Sequence, residues 1–416
     1  MKKLALHWQI FIGLLLAIPF GLLFGEQGIW DATPIFSFIG KMFIQGLKML
    51  IVPLIASAIV TGIASLGNEG GFARLGLKTI GFYSFSSLLA ILLGLFLVNL
   101  IQPGIADGQP VKDLIGLEPL SESVSTKISG KSSSDIWAVF LRMVPTNIVS
   151  AAANGQMLGI ITFCLLFGFF MMKIDSPYRE SIRNFWEGMY QVMMKLTDFI
   201  MKFAPIGVFA LVAKTISTTG FSAFQPLLWF FLTVCAALAL HMFGSMPILL
   251  LSQKLNPKKH IQAMSPALLT AFSTSSSAAT LPKTMDCIQE RAGVSPKVSS
   301  FTLPLGATVN MDGTALYECV AAMFIAQAYG LDLTIAIQIK IVIVALLTSI
   351  GVAGIPSASL VAISLILASI GLPAEGIGLI LVVDRVLDMF RTTVNVFSDS
   401  CAAAVIAKSE GEEILR

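Results

Sequence analysis

Charge is what this 416-residue chain has least of: 12% of its residues are Asp, Glu, Lys or Arg, where soluble domains carry roughly 25%. Histidine is nearly absent, with only His7, His241 and His260, and these are scattered. The five cysteines, Cys164, Cys235, Cys287, Cys319 and Cys401, all sit in or beside apolar runs. They have neither the spacing of metal ligands nor the pattern of a secreted disulfide framework, so they read as small packing residues. No nucleophile–base pair stands out, which argues against an enzyme. The net charge of +3 is small and spread along the loops, giving no reason to expect a nucleic-acid partner. Lys2 and Lys3 precede an apolar run, but no clear small-residue cleavage site follows; the run reads as a retained first helix rather than a signal peptide.

What the chain does have is hydrophobic sequence, 56% of it, in runs long enough to cross a bilayer. The first half reads as spans over Leu4 to Phe24, Ile35 to Leu66, Leu77 to Ile101, Met157 to Met172, Phe185 to Ala213 and Phe224 to Leu251. Residues 104–137 are polar and read as an external loop; Lys173 to Arg183 reads as a charged connector. Lys195, Asp198 and Lys202, three and four residues apart, share one face of the Phe185 to Ala213 segment and suggest snorkelling or interfacial side chains.

The second half changes character. A serine cluster, TAFSTSSSAATLP (Thr270 to Pro282), sits between two short apolar arms. NMDGT (Asn310 to Thr314) interrupts the next span, and TSIGVAGIPSAS (Thr348 to Ser359) is a second tip between short arms. Loop backbone exposed to lipid is forbidden, so both tips must be buried in protein or face a cavity. Two such units entering from opposite sides would form an inverted repeat with its site at the midplane. Lys and Arg concentrate on the segments that this threading puts inside, while the connections at 330–333 and 371–376 carry none; both termini are then cytoplasmic.

The last apolar stretch, Gly378 to Lys408, carries Asp384, Arg385, Asp388, Arg391, Asn395 and Asp399. At about 100° per residue, all but Arg385 fall within an arc of roughly 80°. Each intramembrane charge costs about 2.5–3.5 kcal/mol on insertion scales, so this face must line an enclosed cavity and bind something. The plainer readings are a structural ion-pair network or an amphipathic helix of a soluble protein.

The SSS-x-x-TLP tip, NMDGT, the GIP tip and D-x-x-x-D-x-x-R-T-x-x-N-x-x-x-D occur in this order, and the chain resembles the dicarboxylate/amino acid:cation symporter family over essentially its whole length. That family includes the excitatory amino acid transporters and the archaeal sodium-aspartate symporters. The resemblance implies an all-α membrane protein with eight transmembrane helices, two re-entrant helical hairpins, inverted repeats and an elevator-type mechanism. It implies a homotrimer in the plasma (inner) membrane among its lipids, carrying an acidic amino acid with sodium, with a proton also moved, and with no resident cofactor. Residues 1–70 and 138–215 would form the scaffold; 71–103 and 216–416 would form the transport domain.

Carried over by position, the resemblance gives Asp388 the substrate amino group and Arg391 the side-chain carboxylate, which a guanidinium fork binds bidentately. Thr314, Thr392 and Asn395 would add polar contacts, and the tips at Ser276, Ser277, Ala353 and Gly354 would supply backbone groups. A serine among Ser275 to Ser277 could equally be a helix cap, and Gly354 and Pro356 ordinary turn residues rather than a gate. One sodium site would use Gly306, Asn310, Asn395 and Asp399. A second would use Thr308, Ser349 and Ile350, mostly through carbonyls. A third would use Asp312, Asn310, Ser86, Ser87 and Tyr83, although several relatives have Thr where Ser86 stands and Tyr83 and Ser86 also read as packing polars. Glu318 stands where mammalian members have a glutamate implicated as proton carrier; its plainer role is a pair with Arg385. Members usually carry a second arginine where this chain has Ser275 or Met389; Arg385 lies one turn away on the neighbouring face.

The sequence keeps other functions in view. A proton-driven glutamate or C4-dicarboxylate carrier would not need sodium, and a plain dicarboxylate would leave Asp388 without an amino group. An ion channel would line its pore with the charged helix.

Overall fold

The computed structural model describes residues 6–24, 30–65, 73–112, 141, 144–153, 157–219, 224–331, 333–349, 359–372 and 376–415. They are almost entirely helical. The chain opens with α1 (Leu6–Leu23), α2 (Thr33–Ser65) and α3 (Ala73–Ile101). A two-residue hairpin, β1 (Ile105–Ala106) and β2 (Gln109–Pro110), begins the loop after α3. Asp107 and Gly108 turn it with φ of 50° and 75°, as a tight two-residue connection between twisted strands requires. The rest of residues 113–137 lies outside the described residues.

Next come α4 (Ile148–Ala153), α5 (Met157–Met171), α6 (Tyr178–Met201) and α7 (Ala204–Thr219). The single span expected over Phe185 to Ala213 is therefore two helices that part at Lys202 and Phe203, and the expected connector at Lys173 to Arg183 already holds the start of α6. Pro205 accounts for the first difference: in the first turn of a helix its missing N–H costs nothing, so it favours a start there. Chain then runs through α8 (Phe224–Leu240), a π-helical turn (His241–Ser245) and α9 (Met246–Ser252). By length and composition, Arg74–Ile101 and Gln225–Ser252 are long and apolar enough to cross a membrane.

The remaining helices are α10 (Pro257–Thr274), α11 (Ser277–Asp286), α12 (Pro296–Val309), α13 (Asp312–Ala328), α14 (Ile335–Ser349), α15 (Ser359–Ile370) and α16 (Ile377–Ser409). Asn256 caps α10, its side-chain oxygen accepting from the amides of Lys258 (3.0 Å) and Lys259 (3.2 Å), with Pro257 in the first turn. α10 and α11 fold back on each other, as do α14 and α15. α12 and α13 are two halves of one run, parted at Asn310 and Met311, whose ψ values of 94° and 59° leave the helical region.

Packing sorts the helices into two sets. α2 lies against α5, α6 and α7, and α1 against α7. The close approach of α1 to α7 needs Gly21, where a Cβ would stand 2.8 Å from the Ala213 carbonyl oxygen. In the second set α13 is the hub: every one of its residues is buried, among α3, α8, α14, α15 and α16. A helix buried on all sides is a core element. α10, α11 and α12 pack against α16. At 33 residues, α16 is about 50 Å long and reaches the full depth of this set.

The end of the chain ties the start of α3 to the segment that leads into α12. Glu410 takes Lys78 and Arg74 from the start of α3, the latter at 3.5 Å, and Glu412 accepts from the Ser295 amide (2.9 Å) before α12. The Leu415 amide donates to the Ala292 carbonyl (2.9 Å). The Lys78 hydrogen bond, helped by nearby Arg74 and Lys297, holds Glu410 below the usual carboxylate range. A lowered value means the tie is made above that range and lost as pH falls through it. Replacing Glu410 by Gln and Glu412 by Ala together should free the tail: carboxypeptidase followed by mass spectrometry should trim residues 410–416 several-fold faster than in wild type. Equal rates would mean the tie does not hold the tail.

Candidate functional site

α16 sets out one polar face, and the fold buries it. Asp384, Asp388, Arg391, Asn395 and Asp399 are all buried, Arg391 with no exposed surface at all. The guanidinium of Arg391 is held on three sides. One terminal nitrogen donates to Asp384 Oδ1 (3.0 Å) and Asp388 Oδ1 (2.9 Å); the other donates to Ser359 Oγ (2.7 Å) at the start of α15. Its plane lies over the Tyr317 ring, 3.9 Å from the centroid, a cation–π contact contributed by α13. Arg385 donates to the second Asp388 oxygen (3.2 Å), so this off-face arginine is a partner of Asp388, not of Glu318.

Below this pair, the first turn of α13 meets the middle of α16. Asn395 Oδ1 accepts from the amides of Gly313 (2.8 Å) and Thr314 (3.4 Å), and its Nδ2 donates to Thr314 Oγ1 (3.1 Å). These amides are among the donors a helix start leaves unsatisfied, and Met311 provides no side-chain cap. Asn395 therefore caps α13 from another helix.

A second cluster forms at the α12–α13 break. Asp312 accepts from Ser87 (2.6 Å) and Ser86 (3.3 Å) of α3 on Oδ1, and from Ser398 (2.6 Å) and His241 Nε2 (3.2 Å) on Oδ2. The Asn310 amide nitrogen donates to Asp399 (2.9 Å) and Ser398 (3.0 Å). Tyr83 donates to the Thr302 carbonyl (2.8 Å). Gly306 is needed here: a Cβ would stand 2.5 Å from Asp399 Oδ1 and 2.6 Å from the Tyr83 hydroxyl. Residues expected in the first and third cation sites thus converge on one buried cluster rich in oxygen atoms, with Asn395 about one turn before Asp399 on α16. No group of three or more His, Cys, Asp or Glu side chains suited to a metal occurs among the described residues. Sodium differs in chemistry: hydroxyl, carbonyl and carboxylate oxygens are its ligands, and these are present.

The remaining expected residues are less gathered. Ser275 adopts a left-handed turn (φ 51°) that ends α10, and Ser276 then caps α11, its oxygen accepting from the Ala279 amide (3.2 Å). The Ser276 side chain is therefore a cap. Ser277 is buried beside it, and Phe272, against Phe390 with ring centroids 5.3 Å apart, brings this tip to the level of Asp388 and Arg391. Thr392 is buried on α16. Thr308 and Ser349 each turn the hydroxyl back onto their own helix, toward Leu305 (3.0 Å) and Leu346 (2.8 Å). Ile350, Ala353, Gly354 and Pro356 lie outside the described residues. Glu318 is fully buried and accepts from Thr348 (3.0 Å), while its other oxygen has no partner among the described residues. That geometry replaces the expected alternative of a pair with Arg385.

Four side chains at the site carry no expected role: Ser359, Tyr317, Ser398 and His241. Tyr317 follows NMDGT by three residues, and a 3.6-residue period puts it on the side of α13 that faces α16, a signal open to reading. His241 comes from a distant helix, with nothing in its own neighbourhood to mark it.

The model of the sodium:dicarboxylate symporter family matches residues 6–409. The proton/glutamate-aspartate symporter of Escherichia coli (strain K12) is 36% identical, over 98% of this chain and 93% of that protein. The proton/sodium-glutamate symport protein of Bacillus caldotenax is also 36% identical, over 99% and 96%. Excitatory amino acid transporter 3 of Oryctolagus cuniculus is 34% identical, over 91% and 80%.

The close approach at Gly306 is testable without any ligand. Gly306→Ala should push Asp399 and Tyr83 apart and destabilise the protein by about 1–3 kcal/mol, the usual cost of overpacking. The measurement is the thermal unfolding midpoint in detergent; adding Tyr83→Phe, which removes the crowded hydroxyl, should recover part of the loss. An unchanged midpoint in Gly306→Ala would contradict the crowding.

Proposed function

The chain belongs to the sodium:dicarboxylate symporter family, a family of membrane proteins, and from that premise we propose that it is a secondary symporter of glutamate or aspartate driven by sodium, with a proton co-transported. The observation that carries this reading is the buried pair of Asp388 and Arg391 on one face of α16. The pair is matched to both ends of an acidic amino acid. As the substrate's ammonium takes Asp388, Arg391 exchanges that internal partner for the substrate's distal carboxylate, so charge stays balanced at each end. A plain dicarboxylate offers nothing to Asp388.

Sodium follows from charge. The site buries five carboxyl groups, Asp312, Glu318, Asp384, Asp388 and Asp399, against the guanidinium groups of Arg391 and Arg385. An acidic amino acid adds one more net negative charge. That surplus is prohibitive in a low-dielectric interior unless cations enter with the substrate or a carboxyl group is protonated. The pocket at Gly306, Asn310, Asp312, Asp399, Ser86, Ser87 and Tyr83 is the proposed home of two sodium ions, with Asn395 adjoining it; Thr308, Ser349 and Ile350 are assigned to a further one. Glu318, with one oxygen unpartnered among the described residues, is the proposed proton carrier.

In this reading the protein is a homotrimer of eight transmembrane helices and two re-entrant hairpins per chain, with cytoplasmic termini. The set built on α2, with residues 1–70 and 138–215, is the scaffold. The set built on α13 and α16, with 71–103 and 216–416, moves across the membrane as the transport domain, with the tip at Gly354 and Pro356 as its gate. Packing between the two sets is heaviest where α7 meets α16 and is sparser than the packing within them, which supports that division.

Three measurements test the proposal. In proteoliposomes, glutamate or aspartate uptake should require sodium inside an imposed gradient; uptake unchanged when choline replaces sodium, yet following a pH gradient, would make the protein a proton-only carrier. Glu318→Gln should retain sodium dependence and abolish proton movement. By calorimetry at fixed sodium, Arg391→Cys should lower aspartate affinity by about ten- to a hundredfold, the worth of a charge-assisted bidentate contact. Undiminished aspartate affinity would remove Arg391 from the site.

A further inference from the structure

The Asp312 cluster contains two residues outside the assigned cation ligands, and they differ in what they can do when a cation arrives. We propose that Ser398 is a direct ligand of the cation beside Asp312, and that His241 is a positioning residue which restricts Asp312 to binding that cation through one oxygen. The inference rests on the reading of this pocket as a sodium site.

A carboxylate only accepts, so each of its four close partners is a donor. Three are hydroxyls: Ser87 (2.6 Å) and Ser86 (3.3 Å) on Oδ1, and Ser398 (2.6 Å) on Oδ2. The fourth is His241 Nε2 on Oδ2 (3.2 Å). All four side chains are buried, Ser86, Ser398 and His241 completely.

Hydroxyl groups rotate. Each turns its proton elsewhere and offers a lone pair in the same place. Ser86 has such outlets within reach, the Tyr83 carbonyl (3.2 Å) and Asn310 Oδ1 (3.4 Å). Ser398, inside α16, has the helix's own carbonyl one turn back, the usual second partner of a helical serine. With its proton turned there, Ser398 stands as a neutral oxygen between Asp312 and Asn310.

The ring N–H of His241 has no such freedom. A protonated ring nitrogen carries no lone pair to offer, and the ring is set in the π-helical turn between α8 and α9. Its Nδ1 is buried without a partner among the described residues, so Asp312 is the only polar group it engages there. As a cation enters, the hydroxyls change from donors to ligands and His241 remains a donor on Oδ2. The cation then meets Asp312 at Oδ1, beside Ser86 and Ser87, and the Ser398 hydroxyl, released from Oδ2, completes the set.

The test is the half-saturating sodium concentration for uptake in proteoliposomes at fixed substrate, with substrate half-saturation measured separately at saturating sodium. Ser398→Ala and His241→Leu should each raise the sodium value about ten-fold or more, the range for lost metal-site partners, and leave the substrate value near that of wild type. Ser398→Thr keeps the hydroxyl and His241→Gln keeps an N–H donor; both should return the sodium value toward wild type, which separates the lost group from a general loss of structure. Unchanged sodium values in Ser398→Ala and His241→Leu, with a sodium-dependent wild type, would overturn this inference alone. So would Gln and Thr variants as impaired as Leu and Ala. A wild type indifferent to sodium would overturn the proposed function itself, and this inference with it.

Discussion

A guanidinium group with no exposed surface constrains everything around it. Arg391 stays charged at any pH a protein meets, so its burial obliges the fold to supply counter-charge and hydrogen-bond acceptors at fixed positions. Asp384 and Asp388 supply them from its own helix, Ser359 from the start of α15, and the Tyr317 ring from α13. Three helices are thereby tied to one side chain. The arrangement leaves more buried carboxyl groups than arginines among the described residues, and on the proposed reading that imbalance, not any single contact, is what calls cations into the interior.

The backbone is broken where this matters. A continuous helix satisfies its own carbonyls and amides and has none to offer a ligand. The break at Asn310 and Met311 ends α12 and starts α13 inside the protein, and the turn at Ser275 and Ser276 does the same between α10 and α11. Each break is stabilised locally, by Asn395 on the α13 amides and by Ser276 on the α11 amides. The residues that cap the breaks stand among those a motif would mark as ligands. Ser276 shows why the two roles are hard to separate in a sequence: a serine before a helix start has the same form in both.

Much of this was legible in the residues. The charged face of α16 is a matter of spacing, and a 3.6-residue period puts Asp384, Asp388, Arg391, Asn395 and Asp399 together whatever surrounds them. NMDGT in an apolar run marks the α12–α13 break, and the serine cluster marks the first tip. The two helices within Phe185 to Ala213 were signalled by Pro205, but the hydrophobic pattern runs on through Phe203 and hides the stop. His241 and Ser398 were not legible, for a physical reason. Each acts on Asp312 across a helix–helix contact, from 71 and 86 residues away, and periodicity along one helix carries no information about which side chain of another it meets. The same holds for Ser359, which reaches Arg391 across 32 residues.

Asn395 joins the two halves of the site. Its side chain holds the first amides of α13, whose first residue is Asp312, and it sits on α16 about one turn from both Arg391 and Asp399. At Gly313 the α13 backbone runs so near α16 that a Cβ would lie 2.6 Å from the Arg391 carbonyl oxygen. No side chain cushions that contact, so a shift of α16 at Arg391 is passed to the start of α13, and a shift of α13 at Asp312 is passed back. Packed interfaces of this kind move between discrete arrangements and do not deform smoothly. On the proposed reading, the amino acid acts at one end of this contact and sodium at the other. Whatever sodium binding does to favour the arrangement that accepts the amino acid, the amino acid must do equally for sodium. The coupling then needs no relay of intervening residues, because one side-chain amide and one glycine already hold the two binding regions in register.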